Sequence, residues 1–177
     1  NPEYAEAHHN LGSALQEQGE LEAAADCYRR FLQLRPDTAE AYNNLGAVLR
    51  GQGKLDEAVA CFRRALELKP ELADAHNNLG NVLRRRGALV EATECWQRAI
   101  ALRPGYPEAL ANLGAGLTKR DRLEEAVDAL RASLQSRPGH PDTLVQLAET
   151  LRLAGRFRES LAAAERGLQI APQNSRL

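Results

Sequence analysis

Six of the eight prolines are Pro2, Pro36, Pro70, Pro104, Pro138 and Pro172, each 34 residues after the last. A chain that restarts its pattern at a fixed interval builds one supersecondary unit per period and buries a continuous core by stacking the units. Alignment on the prolines divides the chain into five units, 5–38, 39–72, 73–106, 107–140 and 141–174. Asn1-Pro2 then reads as the tail of an upstream unit, and Ser175-Arg176-Leu177 as the start of a downstream one. No methionine occurs in the 177 residues, so the expectation is a piece of a longer array, a single repeat domain over 1–177.

Each unit reads as two helices. In unit 39–72, Tyr42, Leu45, Gly46 and Leu49 recur at i, i+3, i+4 and i+7, the spacing of one apolar helical face. Gly53 follows, suited to the left-handed residue that closes a helix. Leu55, Ala58, Val59, Phe62, Ala65 and Leu66 draw a second apolar face, and Pro70 ends it. Gly19, Gly87 and Gly155 repeat the mid-unit stop, with Asp121 in that place in unit four. Pro107 and Pro141 fall where first helices begin, a position that tolerates proline. The fold class expected is all-α, an α-solenoid of about five helix pairs.

Unit three carries His76, Leu79-Gly80, Leu83, Ala92, Trp96 and Pro104, and the first unit Leu11-Gly12, Ala24, Tyr28 and Pro36. This resembles the tetratricopeptide repeat family, whose pattern is Trp-x2-Leu-Gly-x2-Tyr, then Ala-x3-Phe, then Pro. The resemblance covers nearly the whole chain. It implies a right-handed superhelix, with first helices on the concave face and second helices on the convex one. Units four and five depart from it. The second-helix aromatic becomes Leu130 and then Ala164, the small residue after it becomes Ser133 and then Gly167, and Leu-Gly becomes Leu147-Ala148. A smaller apolar payload buries less area, so unit five is expected to be the loosest.

AYNNLGAVLR at 41–50 returns as AHNNLGNVLR at 75–84, which keeps an asparagine beside the Leu-Gly pair. At about 100° per residue, Glu40, Asn44, Ala47 and Gly51 lie opposite the core stripe of Tyr42, Leu45, Gly46 and Leu49. The equivalent residues are Asn10, Asn44, Asn78, Asn112 and Gln146, a primary amide in every unit. An amide both donates and accepts, which suits a peptide group. Packed helices sit about 8–10 Å apart and an extended chain advances about 3.3 Å per residue, so such a row meets roughly every third residue of a guest. The alternative is that each amide bonds a neighbouring helix and fixes repeat orientation.

The row is similar to the amide ladder of the tetratricopeptide superhelix in O-linked N-acetylglucosamine transferases, where it binds the backbone of extended substrate segments. That resemblance carries over at Asn10, Asn44, Asn78 and Asn112 and is weaker at Gln146. Flanking candidates for peptide binding are Asn43, Asn77 and Asn81, with Arg50, Arg84 and Arg85 toward the ends of the first helices. An acidic row, Glu6, Glu40, Asp74, Glu108 and Asp142, stands one turn before the amides. Acid at helix starts and base at helix ends also suits the helix dipole. Tetratricopeptide domains that clasp chaperone C-terminal carboxylates place basic residues near these first-turn and amide positions. Here those places are acidic or amide, which argues against that partner class.

Other signals are read as structural. Cys27, Cys61 and Cys95 occupy one position in successive units. A helix-to-helix separation of about 10 Å exceeds the roughly 7 Å Cα limit for a disulfide, so inert reduced thiols are expected. Free thiols lean toward a reducing, cytoplasmic compartment. His8 and His76 fall at a packing position, His9 at the edge of the amide face and His140 in a loop, without metal-ligand spacing. GAGLTK at 114–119 lacks the spacing of a phosphate loop and falls inside a helix. Arg84-Arg85-Arg86 reads as a solvated helix end, with anion binding as the alternative. A net charge of −1 gives no pull toward nucleic acid or anionic membrane, and no run is long enough to span one.

The chain is therefore expected to be a non-catalytic interaction module without cofactor or metal, binding an extended peptide or protein segment. Two alternatives remain: the substrate-recruiting arm of a larger glycosyltransferase, and a structural scaffold that self-associates end to end.

Overall fold

The computed structural model describes residues 2–171, with side chains from Tyr4 onward. Among them are ten α-helices and no strand: α1 (Pro2–Glu17), α2 (Leu21–Leu34), α3 (Ala39–Gly51), α4 (Leu55–Leu68), α5 (Ala73–Arg85), α6 (Leu89–Leu102), α7 (Pro107–Lys119), α8 (Leu123–Ser136), α9 (Pro141–Leu153) and α10 (Phe157–Ile170). They form two compact units, Asn1–Cys95 and Trp96–Leu177. In the first, α1 packs on α2, α2 on α3, α3 on α4, and α5 on both α4 and α3. In the second, α7 packs on α8, α8 on α9, and α9 on both α10 and α7. The fold class is all-α, built from consecutive helix pairs.

Two turn designs punctuate the array. First helices end in a 6→1 and 5→2 hydrogen-bond pair around a left-handed residue. In the second repeat Lys54 N–H donates to Leu49 C=O at 2.9 Å and Gly53 N–H to Arg50 C=O at 3.1 Å, with Gly53 at φ 80°. Asp121 takes φ 59° at the same place, and Arg122 N–H still reaches Leu117 C=O at 3.0 Å. Aspartate tolerates this conformation better than most residues because its short polar side chain bonds locally. Second helices end differently. Arg35, Lys69 and Arg137 leave the helical region, at φ −138°, −143° and −136°. Each precedes a proline, whose Cδ drives the preceding residue out of the helical region. The helix thus stops before the proline is reached.

Pro2 departs from the sequence reading, which made it the tail of an upstream unit. It is the first residue of α1, which therefore begins three residues earlier in register than α3. A proline at the first helical position gives up no hydrogen bond. Ser175-Arg176-Leu177, read as the start of a downstream unit, lies outside the described residues.

Within a repeat the two helices close on a missing Cβ. A methyl at Gly46 would stand 2.7 Å from Cε1 of Phe62, whose ring is fully buried. In the fourth repeat a Cβ on Gly114 would come within 2.5 Å of Leu130, and one on Gly116 within 2.7 Å of Trp96. These glycines explain GAGLTK as a packing surface within α7. The fifth repeat relaxes the constraint from both sides. Ala148 replaces the glycine and Ala164 the aromatic, and both join the cluster around Leu130, Leu144 and Leu151. Ser160 Oγ donates to Ala148 C=O at 2.7 Å. On α10 only Ala163 and Gly167 are buried, so the last repeat is thinly packed.

Phe62→Ala is expected to lower stability by about 3–5 kcal/mol, and Gly46→Ala by about 1–3 kcal/mol through the overlap with the ring. The double variant should cost less than the sum, because removing the ring makes room for the methyl, as Ala148 and Ala164 do. A denaturant double-mutant cycle measures the coupling; strict additivity would place the contact elsewhere.

Candidate functional site

Two amides of the first unit are hydrogen-bonded along the line where first helices meet. Asn78 donates through Nδ2 to Oδ1 of Asn43 at 3.0 Å. Asn44 donates to Nε2 of His9 at 3.3 Å. An amide nitrogen can only donate, so His9 accepts with Nε2 and carries its proton on Nδ1. Its ring lies edge-on to Tyr28 at 5.8 Å and against Phe31 at 5.3 Å, which holds the acceptor in place. In both bonds the acceptor stands 35 residues before the donor, just ahead of the previous row amide. Sequence reasoning read Asn43 as a flank and His9 as a margin residue; both are acceptors for the row. The signal was present, since His9, Asn43 and Asn77 are polar where Ala111 and Val145 are not.

These bonds use one end of each amide. Oδ1 of Asn44 and Oδ1 of Asn78 have no donor among the described residues. Asn10 is exposed and meets no partner among them. Asn77 is 6% exposed and, like the half-buried Asn112, is already engaged, so Asn77 is withdrawn from any guest. Asn81 keeps its Oδ1 covered and unpaired.

In the second unit the row continues with Gln146. The place 35 residues earlier is Ala111, which offers no polar atom, and Gln146 Oε1 is buried without a hydrogen bond. Gln146 lines a cavity of about 130 Å³ with Ala115, Thr118, Lys119, Glu149 and Thr150. The Thr118 and Thr150 hydroxyls meet at 2.9 Å beside it, and Thr150 also donates to Gln146 C=O at 2.7 Å.

The acidic row does not form an open margin. Glu6 pairs with Arg35 at 3.6 Å, Glu40 with Lys69 at 2.8 Å and Glu108 with Arg137 at 3.3 Å. Each pair ties the start of a first helix to the end of the second helix of the same repeat. Asp74 is also engaged, while Asp142 has Ala171 at the partner position. The Lys69 ammonium holds the Glu40 carboxyl below its ordinary pKa, and Glu40 in turn raises that of Lys69.

The basic triplet splits in three directions. Arg86 pairs with Asp56 at 3.1 Å. Arg85 donates from Nη1 to Arg50 C=O at 3.1 Å, and Arg84 is exposed. Burial, helped by nearby glutamates, pushes the Cys61 and Cys95 thiols up to about 11, which leaves them weak nucleophiles at neutral pH. All three cysteines are free. Among the described residues no group of three or more His, Cys, Asp or Glu could hold a metal ion. Among the described residues no helix is long and apolar enough to cross a membrane.

Comparison with known proteins agrees with the geometry. Tetratricopeptide repeat models match residues 3–71, then 47–107 and 91–141, and then 117–177. The chain belongs to the tetratricopeptide repeat family. Among solved structures it is similar to YrrB, described as a TPR protein with an unusual peptide-binding site. The two are 28% identical over 99% of this chain and 91% of that one, with a TM-score of 0.78. It is also similar to PilF of Pseudomonas aeruginosa, at 23% identity, 99% and 80% coverage and a TM-score of 0.89. MamA gives 20% identity, 99% and 96% coverage and a TM-score of 0.82. At those two identities the likeness is one of fold. No match was found among curated proteins.

Glu40→Gln should lower the thermal midpoint slightly at neutral pH, since the pair is exposed and worth little. Because the folded-state pKa of Glu40 is depressed, its contribution is present above the unfolded pKa and fades as pH falls through the folded one. The deficit should therefore vanish in acid. Thermal unfolding of both proteins across an acid titration reads this; a pH-independent deficit would assign the effect to packing.

Proposed function

We propose that this is a non-catalytic protein-interaction module whose first unit holds an extended polypeptide on the face shared by α1, α3 and α5. Backbone N–H groups of the guest donate to Oδ1 of Asn44 and Asn78, and Asn10 supplies a third amide. The observation that carries the reading is the half-used state of the row. His9 and Asn43 take the Nδ2 end of each amide and so orient it, while the Oδ1 end is left without a donor. An oriented acceptor loses little freedom when a guest arrives, which favours binding. Likeness to a TPR protein described as having a peptide-binding site supports it further. Backbone contacts of this kind give affinity with little sequence selectivity.

The test uses a fluorescently labelled Gln-Thr-Pro repeat peptide of about twelve residues, kept extended by its prolines. Anisotropy should show saturable binding. Asn44→Ala with Asn78→Ala should weaken it about tenfold, the loss expected for two hydrogen bonds of about 0.5–1.5 kcal/mol each. Unchanged affinity with intact helical circular dichroism would overturn the reading. The resemblance of the row to that of O-linked N-acetylglucosamine transferases makes recruitment for an attached glycosyltransferase one use of such a face. The complete reading frame decides that.

A second reading, end-to-end self-association, is favoured by the register of burial. Leu161 on α10 is 61% exposed, whereas Val59 and Val127 at the equivalent place are 4% and 0% exposed. On α1, Leu11 is exposed while its counterparts Leu45, Leu79 and Leu147 are buried. The two faces are those that adjoining repeats cover elsewhere in the chain. A copy's α1 seated on α10 is a head-to-tail contact. Sedimentation should show concentration-dependent association that Leu161→Glu abolishes; a strict monomer at high concentration would remove this reading.

A further inference from the structure

Ionised groups withdrawn from water are normally paired, because desolvation of an unpaired charge is costly. Nine arginines of this protein have such a partner. Arg29, Arg35, Arg63, Arg64, Arg86, Arg122, Arg131, Arg137 and Arg156 each meet a carboxylate. Among the described residues the remaining arginines, Arg50 excepted, are exposed to solvent. Arg50 is the one arginine among the described residues that is half-buried and meets no carboxylate. The other two half-buried arginines, Arg122 and Arg156, are both paired.

The charged group that acts on Arg50 has the same sign. Arg85, on α5, reaches across the seam and donates to Arg50 C=O at 3.1 Å. The carbonyl end of α3 offers the pair roughly half a negative charge through the helix dipole, against two full positive ones. Burial, and then the Arg85 charge, draws the Arg50 guanidinium below its ordinary pKa, the sense expected for an uncompensated cation. Arg84 repeats the place of Arg50 one repeat further on and is exposed. Arg50 and Arg85 form an unneutralised pair at one end of the α3–α5 seam, whose middle carries the Asn78–Asn43 bond.

We infer that this end of the seam takes a carboxylate, an Asp or Glu side chain of the bound polypeptide, held by Arg50 and Arg85. The inference rests on the reading that the first unit holds a polypeptide, and it names the chemistry of that guest. Guanidinium and carboxylate match in planar, two-pronged geometry, and desolvated pairs of this kind are among the stronger hydrogen bonds. A guest carboxylate would supply the counter-charge that the fold omits. The acidic row cannot do so, because its members at Glu6, Glu40 and Glu108 are held by Arg35, Lys69 and Arg137.

The test compares two labelled peptides, the Gln-Thr-Pro repeat and its Glu-Thr-Pro counterpart, by anisotropy on the intact protein. At low salt the acidic peptide should bind about tenfold more tightly, an advantage that shrinks as salt screens it. Arg50→Gln and Arg85→Gln should each pull the ratio toward one, whereas Arg30→Gln, an exposed arginine elsewhere, should leave it intact. A ratio near one in the wild-type protein, or one that survives the Arg50→Gln/Arg85→Gln double variant, would overturn the inference. So would failure of the acidic peptide to bind at all. Thermal unfolding supplies a second readout. Arg50→Gln should leave the midpoint unchanged or raise it, because it removes an uncompensated charge; a drop of several degrees would make Arg50 structural. Asn44→Ala with Asn78→Ala should weaken both peptides equally. Silence of those variants with the ratio intact would remove the amide row and leave the arginine site standing.

Discussion

Everything in this molecule depends on how closely the two helices of a repeat approach. Gly46 under Phe62 sets that distance by lacking a side chain, and the buried ring fills the space so created. The same solution appears at Gly114 with Leu130, and Ala148 with Ala164 reaches it by dividing the volume between two small residues. With pair geometry held in this way, residues separated by a fixed number along the chain meet repeatedly. Asn44 with His9, Asn78 with Asn43 and Arg85 with the Arg50 carbonyl are all 35 residues apart. On the second helices Arg29 meets Glu57 and Arg131 meets Glu159, both 28 apart. Local packing thus decides which polar groups can find each other.

That recurrence makes the exceptions informative. Where His9 and Asn43 stand at the partner position, Asn44 and Asn78 are oriented by them. Where Ala111 stands, Gln146 is left with a buried, unpaired oxygen beside a cavity. Where a carboxylate would be expected near a half-buried guanidinium, Arg50 has Arg85 instead. The first-helix face of the first unit is therefore neither a plain structural seam nor a uniformly open site. Its internal bonds consume one end of each amide, while its charge is left unbalanced at one end. A guest that offers backbone donors and an acidic side chain answers both features.

Much was legible before any coordinates. The 34-residue spacing of prolines, the Leu-Gly pairs and the mid-unit glycines foretold helix number and order, because each acts through its own backbone. Asp121 was placed at the helix stop on register alone and adopts the required left-handed conformation. The amide row was found by the same register. Its partners were not, although His9, Asn43 and Asn77 stand in the sequence beside it. A helical wheel orients one helix and carries no information about which residue of the next helix lies opposite. The partners of the acidic row were hidden for a related reason. Read along one helix, Glu6, Glu40 and Glu108 border a face; in three dimensions Arg35, Lys69 and Arg137 return from the end of the second helix to hold them.

The sequence by itself determined the repeat, the all-α class and the identity of the residues that line the first helices, since these follow from backbone preferences and periodic burial. Only the tertiary structure decided which of those residues are spent on each other and which remain available. Hydrogen bonds and charge compensation are settled by distances of about 3 Å between separate helices. Those distances are set by side-chain packing across the seam, where one missing methyl at Gly46 and one added arginine at Arg85 change what the face can offer.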